Sequence, residues 1–416
     1  MGEHKILVPM TENPPAKVKD AGVIALVKAG AAAYNAKSGE LLLLPEGALE
    51  LAQIKNRIAE ELQRRGFQRV DCGSDDAVYS IAERYIREWG ETAAAFCDGR
   101  SRELRVLSWH MDENSAVSSA EELMNTILDS LAGQDERSRS RFSFVEDITE
   151  DESRTFVLAS ACETGDIGAR AGFLCPSCGS LKFPDSPLGF VPPQPGENEP
   201  EETLEDIETP GANTIAELCN QLNIEVKRTL KAMLYVAHNL DGTRRAVASF
   251  VRGDYNTSMN KLTRWLKREM KLTGLRSAGK PELHELIGEV AGYCGPVDMP
   301  AGVALVCDNS VNGAKNTVAG ANRPGYHRRG CCYPRDFNPP IADIAQITSG
   351  TPCECGSVYE PHGIRESGSF RISSLNGRGE AALKILSYRD RDGAHEYPVV
   401  CAGEVSAERI LLSAHS

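Results

Sequence analysis

The chain has no apolar run long enough to span a bilayer, and its first residues, MGEHKILVPM, lack the charged-then-apolar pattern of a secretory leader. Both absences point to a soluble, cytoplasmic protein without membrane contact. Positive charge is scarce: 46 Lys and Arg stand against 59 Asp and Glu, for a net charge of −13. That balance argues against a nonspecific nucleic-acid binder, which must neutralise many phosphates. No Ser-His-Asp or Cys-His arrangement occurs in a recognisable local context, so a covalent acyl-enzyme is not expected. No internal repeat is evident.

What is present is enough chain for two or three domains, since 416 residues can bury a core in each. The 13 cysteines are unevenly spaced, and without secretory features they read as reduced thiols plus a metal knuckle rather than a disulfide framework. The knuckle is CPSCG, with Cys175 and Cys178, and its candidate partner is TPCECGS, with Cys353 and Cys355. Thiolates so spaced can reach one tetrahedral zinc, although the second pair has one intervening residue where the first has two. Zinc in a structural role and turns carrying free thiols are the two readings.

Composition divides the chain into four parts. Residues 1–183 form a first block, in which LLLLPEGALELAQIKNRIAEELQRRGFQRV reads as a strand, a turn at Pro45 and Gly47, and a long helix with Leu51, Ile54, Ile58 and Leu62 on one face. Residues 184–209, rich in Pro and Glu, read as a mobile linker. Residues 210–350 read as a self-contained α/β domain, opening with Ile215, Leu218 and Leu222 at helical spacing, and residues 351–416 as a closing block of strands. Between Val226 and Lys280, 13 Lys or Arg face only Asp241, Asp254 and Glu269, a basic island in an acidic chain. A solvated helical face at LTRWLKREMK and contact with RNA phosphates both account for it.

The segments GANTIAELCNQLNIEVKRTLKAMLYVA, VASFVRGDYNTSMNKL and NTVAGANRPGYHRRG resemble, in order and spacing, the editing domain inserted in bacterial prolyl-tRNA synthetases. The same YbaK-like domain occurs as freestanding deacylases of mischarged tRNA. The outer blocks resemble the class II core of that synthetase. AGAAAYNAKSGELLLLPEGALELAQIKNRIAEELQRRGF matches its first signature, at the dimer interface. RSREL matches the strand after the second signature's loop, and AGEVSAERILLSA matches the third. The implied fold class is α/β (α+β): a degenerate class II antiparallel sheet with flanking helices, interrupted by a mixed α/β insertion. Cysteine knuckles occur at these same two borders in the family.

The resemblance implies an editing pocket at Ile215, Leu218, Lys231 and His327. Lys231, whose register is expected to bring it near Ile215 and Leu218, is suited to the phosphate or ribose of the terminal adenosine. His327 either orients the substrate or is an ordinary loop histidine beside two arginines. Gly320 and Asn322, in GAN, and Gly295 and Pro296, in CGPVDMP, are expected either to bring backbone N–H groups to an ester carbonyl or to be structural turns. Asp308 and Arg252 complete the implied substrate contacts. In the family, water activated by the substrate's own ribose hydroxyl performs the hydrolysis, so no cofactor is required. Ile215 and Leu218 would narrow the site for alanine-sized acyl groups, since exclusion by overlap discriminates where one methylene yields only ~1–3 kcal/mol.

The synthetase signatures are worn. Arg102, Glu103 and Arg409 stand where the family binds ATP. The second signature is shortened to ETAAAFCDGRSREL, and the Thr-x-Glu element is replaced at Ser74, Asp75 and Asp76. GIRESGSF replaces GIEVGHIF, and no anticodon-binding domain follows before Ser416. These departures imply lost aminoacylation and weaken the case for ATP. The reading is therefore hydrolysis of a mischarged tRNA ester, most simply Ala-tRNA(Pro), by a homodimer that takes the tRNA acceptor end. A surviving proline-tRNA ligase and a noncatalytic tRNA or amino-acid sensor are the alternatives.

Overall fold

Two stretches far apart in sequence are woven into one sheet. The computed structural model describes residues 14, 16–35, 37–70, 93–98, 102–110, 112–132, 140–149, 153–288, 292–374, 388–389, 395–396 and 399–416. Ser74, Asp75 and Asp76 lie outside the described residues.

The chain begins with α1 (Ala21–Lys28), the hairpin β1 (Ala32–Asn35) and β2 (Glu40–Leu43), α2 (Pro45–Arg64), β3 (Gln68–Arg69), β4 (Ala93–Asp98) and β5 (Glu103–His110). It continues through α3 (Glu113–Ala132), β6 (Phe142–Ile148), β7 (Arg154–Cys162), β8 (Ala169–Leu174) and β9 (Leu181–Lys182). The middle of the chain supplies β10 (Glu205–Glu208), α4 (Ile215–Leu222), β11 (Leu230–His238), β12 (Arg244–Arg252), α5 (Met259–Trp265), β13 (Thr273–Ser277) and α6 (Lys280–Ile287). It then supplies β14 (Ala304–Asp308), β15 (Thr317–Gly320), β16 (Tyr326–Cys331) and β17 (Ile341–Ala342). The last stretch returns with β18 (Glu360–Ser374), β19 (Tyr388–Arg389), β20 (His395–Glu396), β21 (Val399–Ser406) and α7 (Ala407–Ala414).

β18 and β21 slot between β5 and β7, giving the order β3-β4-β5-β21-β18-β7-β6 in a sheet of nine strands, with β8 and β9 joined through β18. Apart from the parallel β3–β4 pair, its ladders are antiparallel. Helices α1, α2, α3 and α7 contribute to one core with this sheet, which holds Ile54, Ile58, Leu62, Leu123, Ile127, Phe370 and Leu411. The α2 stripe is the one the spacing predicts, and each such side chain contributes about 1.5–3 kcal/mol on burial. Pro45 and Gly47 are not a turn: Pro45 occupies the first helical turn, where its missing N–H costs nothing, and Gly47 lies inside the helix against the Ala31 carbonyl. Arg365, fully buried on β18, donates to Asp20 at 2.6 Å and to the hydroxyl of Ser416 at 3.0 Å. It thereby ties the cap of α1 to the end of α7.

The middle stretch forms a mixed five-stranded sheet, β13-β11-β12-β14-β17, and an antiparallel three-stranded sheet, β10-β16-β15. Leu230, Phe250, Cys294, Val297, Ala319 and Cys331 fill the space between them. The stretch docks on the outer core through polar contacts. Asn260 Nδ2 donates to the Ile148 carbonyl at 3.3 Å and Arg264 pairs with Glu113, while Ser258 Oγ and Asn260 Nδ2 also donate to Asp185 of the connecting segment at 2.7 and 2.8 Å.

Residues 184–209, read as a mobile linker, are instead bound along their length. The Asp343 carboxylate accepts from the Leu188 and Gly189 N–H groups, and Arg252 donates to the Pro193 carbonyl at 2.9 Å. Glu199 pairs with Arg228 at 2.8 Å, and residues 205–208 add a strand to β16. Proline favours an extended chain, and arginines of the neighbouring domain give its carboxylates fixed partners.

Candidate functional site

The site is built where β10 ends and β15 meets β16. His327 on β16 pairs with Gly320 of β15 on one side and with Ile207 of β10 on the other. Its Nδ1 lies 2.6 Å from the hydroxyl of Thr209, which has no exposed surface, and the ring of Tyr293 stands 5.4 Å away. Burial holds the imidazole down to about 4 from its ordinary 6.5, so the ring is neutral at pH 7. Thr209 is fixed in turn, since its N–H donates to the Gly325 carbonyl at 2.8 Å. Thr209 and Tyr293 were not legible as site residues: the first closes a segment read as linker, and the second lies just before the glycine turn that drew attention.

Gly295 and Gly320 approach each other behind this pair. A Cβ on Gly295 would lie 1.8 Å from the Gly320 carbonyl oxygen, so only glycine fits. Asn322, at φ +54, clamps the same turn. Its side chain donates to the carbonyls of Gly295 and Val297 at 3.1 and 2.7 Å and accepts the Gly295 N–H at 2.9 Å. This corrects two expectations. The Gly295 N–H is engaged and does not point at an ester carbonyl, and Asn322 shapes the backbone rather than presenting a free amide. Pro296 lines a shallow groove of about 390 Å³ with Met270, Leu305 and Phe337.

Helix α4 opens with a reciprocal cap, the Glu217 N–H donating to Thr214 Oγ1 while the Glu217 carboxylate accepts the Thr214 N–H. This cap sets Leu218 against Val318 and Ala212, where it is buried as core, and leaves Ile215 half-buried at the surface. Of the two, Ile215 is the one that keeps surface to offer. Lys231 leaves β11 on the face opposite Leu230. Its ammonium donates to the Tyr255 carbonyl at 2.7 Å and to Asn256 Oδ1 at 2.9 Å, so these bonds direct it to the 255–256 loop rather than to Ile215 and Leu218. Burial lowers its pKa, against the pull of Asp254.

Asp308 and Arg252 are buried and engaged within the chain. Asp308 is 2% exposed, and its carboxylate accepts from the backbone N–H groups of Ser310, Ile344 and Ala345 at 2.7, 2.9 and 2.7 Å. Arg252 makes two bonds to Asp254, at 2.7 and 2.8 Å, besides its bond to Pro193. The basic island is largely neutralised in the same way. At least eight of its 13 cations pair with carboxylates: Lys227 with Glu225, Arg228 with Glu199, Arg244 and Arg276 with Glu282, Arg252 with Asp254, Lys261 with Asp343, and Arg264 and Arg268 with Glu113.

In the outer core, Arg102 donates to the Leu41 carbonyl at 3.2 Å and pairs with Glu408, while Arg409 donates to the Glu366 carbonyl at 2.9 Å. Glu103 lies beside them, its pKa raised by burial and by Glu404. All three positions are thus brought together, and both guanidinium groups already have partners within the chain.

The four knuckle cysteines also meet. Cys175 Sγ lies 3.5 Å from Cys355 Sγ, Cys178 Sγ lies 3.6 Å from Cys353 Sγ, and all four sulfurs are within 4.8 Å of one another. A tetrahedral zinc with bonds of about 2.3 Å sets its sulfurs about 3.8 Å apart, so the donor set fits that ion.

Fold and site lie in a chain that carries an aminoacyl-tRNA editing domain: residues 209–330 match the family model described as aminoacyl-tRNA editing domain. Its curated relatives include the proline–tRNA ligase of Aquifex aeolicus, 30% identical over 250 residues that make up 59% of this chain and 41% of that protein. The proline–tRNA ligase of Moorella thermoacetica is 32% identical over 200 residues, 47% of this chain and 32% of that protein. The chain thus spans less than half the length of these relatives. A crystal structure described as that of a candidate trans-editing enzyme for prolyl tRNA synthetase aligns with 34% of this chain and 86% of its own, at 22% identity and a TM-score of 0.29. Among the described residues no helix is long and apolar enough to cross a membrane.

Proposed function

We propose that the chain is a deacylase that hydrolyses the ester of mischarged tRNA, with Ala-tRNA(Pro) as substrate. The observation that carries this reading is the buried Thr209–His327 pair inside the matched editing domain. The names of the curated relatives support tRNA(Pro) as the acceptor. With the Thr209 hydroxyl donating a hydrogen bond to Nδ1, the neutral imidazole carries its proton on Nε2 and presents it as a donor to the ester carbonyl. An imidazole held near 4 is a weak base at pH 7, which supports water activation by the substrate's ribose hydroxyl rather than by His327. Ile215 forms a wall of the acyl pocket, and Lys231 has one N–H beyond its two bonds to offer to phosphate or ribose.

The outer core serves this activity as a platform rather than as a ligase. The internal engagement of Arg102 and Arg409 supports loss of ATP binding, because developing charge on a phosphate needs unspent cations. Leu42 and Leu49, 61% and 59% exposed on β2 and α2, support a homodimer through this face, which sedimentation equilibrium tests. The deciding experiment is a deacylation panel over several mischarged tRNAs beside ATP–pyrophosphate exchange with proline and alanine. Release of alanine from Ala-tRNA(Pro) without exchange is expected. Clear exchange sinks the view of the core, and binding without hydrolysis gives the sensor reading instead.

A further inference from the structure

The chain leaves the outer core and re-enters it through two small hairpins that face each other. In the first, the Gly179 N–H donates to the Cys175 carbonyl and the Cys175 N–H to the Ser180 carbonyl, at 2.9 and 2.8 Å. In the second, the Gly356 N–H donates to the Cys353 carbonyl and the Cys353 N–H to the Ser357 carbonyl, at 2.9 and 2.8 Å. The second hairpin reaches the same closure with one residue fewer, which is how a Cys-x-Cys pair matches a Cys-x-x-Cys pair in space. Sulfurs 3.5 and 3.6 Å apart are too far for a disulfide bond of about 2.05 Å and match the edges of a thiolate tetrahedron.

Above the sulfurs lies a cap drawn from three places. Cys175, Cys353 and Tyr359 pack with Leu188 and Phe190, from the segment leading into the editing domain, and with Ile347, from the segment leading out. Ser180 Oγ and Tyr359 Oη are 3.0 Å apart, and the Ile347 N–H donates to the Pro184 carbonyl at 2.8 Å. From the cap a polar chain runs into the editing domain: the Asp343 carboxylate accepts from the Leu188 N–H and from the buried Lys261 ammonium of α5, both at 2.7 Å.

We propose that Cys175, Cys178, Cys353 and Cys355 bind one zinc ion, and that this ion locks the editing domain in its docked position by holding the cap through which both of its connections pass. The pairing of β8 with β18 beside the hairpins holds the core sheet without the metal, so removing the ion loosens the connections and not the core. Docking is therefore metal-dependent, whatever ester the editing domain cleaves.

The test uses the full chain, elemental analysis of the purified protein, and hydrogen exchange before and after zinc is stripped by chelation. About one zinc per chain is expected in the wild type and much less in Cys355→Ser, with Cys219→Ser, outside the cluster, keeping it. Stripping should speed exchange of the Leu188, Gly189 and Ile347 amides about tenfold while leaving β7 and α2 unchanged. Zinc no higher than in a variant lacking all four thiols overturns the site, as does iron in its place. Zinc present but with those three amides unmoved by its removal overturns the lock. Neither readout depends on deacylation, so failure here is distinct from failure of the proposed activity.

Discussion

Replacing Thr209 by valine keeps the shape of a side chain with no exposed surface and removes one hydroxyl, the atom 2.6 Å from His327 Nδ1. The valine methyl cannot donate, so Nδ1 is left in a buried place without its partner. Leaving a buried polar atom unsatisfied costs about 1–3 kcal/mol. Part of that falls on stability, so the urea midpoint should drop, with the slope of unfolding unchanged. The rest falls on the reaction, because the ring is free to carry its proton on Nδ1 and turn the donor away from the ester. At about 1.4 kcal/mol per tenfold, the share that falls on the reaction should slow single-turnover hydrolysis of Ala-tRNA(Pro) under saturating enzyme measurably, by no more than about 150-fold. The concentration dependence should shift little, since the lost contact does not touch the tRNA. Thr209→Ser, which restores the hydroxyl, should recover most of the rate. A Thr209→Val protein as fast as wild type, or a Thr209→Ser protein as slow as the valine variant, refutes the assignment of Thr209 as the residue that sets the ring's tautomer.

Three further outcomes follow from the same geometry. Lys231→Ala should abolish deacylation and leave the circular dichroism spectrum intact; undiminished hydrolysis removes Lys231 from the site. His327 binds its proton at about 4 when folded and near 6.5 when unfolded, so protonation favours the unfolded chain. Its contribution to stability is therefore complete above pH 6.5 and is lost as pH falls toward 4; His327→Asn should flatten the melting temperature across that window, and an unchanged slope contradicts the buried neutral ring. Because at least eight of the island's 13 cations hold carboxylates and Lys267 is engaged too, fewer than five remain for phosphates, and the island's share of the slope of log affinity for tRNA against log salt should be shallower than about −4.5. A slope near about −8 in a filter-binding titration would show that the ion pairs open to RNA.

Periodicity made α2 legible, because Leu51, Ile54, Ile58 and Leu62 report one face of a helix whatever they pack against. The knuckles were legible for a similar reason, since two thiols at short spacing carry their geometry with them. Asp308, Arg252 and Asn322 were not, because each is a polar residue whose role depends on which backbone groups reach it. Asp308 satisfies three N–H groups, two of them from residues 344 and 345, beyond β17. Residue type alone could not separate that use from substrate binding. Thr209 and His327 lie 118 positions apart, and their hydrogen bond exists only because residues 205–208 add a strand to β16.

The two compositional features that stood out most, the acidic segment and the basic island, are partly one feature. Glu199 reaches Arg228, Asp185 holds Ser258 and Asn260, and the Pro193 carbonyl takes Arg252. Farther along the same segment Glu205 and Asp206 meet Arg329 and Arg328 on β16, next to His327. Mobility was the natural reading of a run poor in apolar residues, because such a run cannot bury itself. It can still be ordered when the charge it carries is matched by charge on a folded neighbour, and the neighbour here is the domain that follows it in sequence. The consequence for recognition is direct. A tRNA backbone approaching β16 meets arginines that already hold carboxylates, so part of any phosphate contact there is an exchange of one anion for another, and little net charge remains to favour RNA without regard to its identity. Under the proposed activity, selectivity would then rest on contacts with the acceptor end beside Thr209 and His327 rather than on this charge.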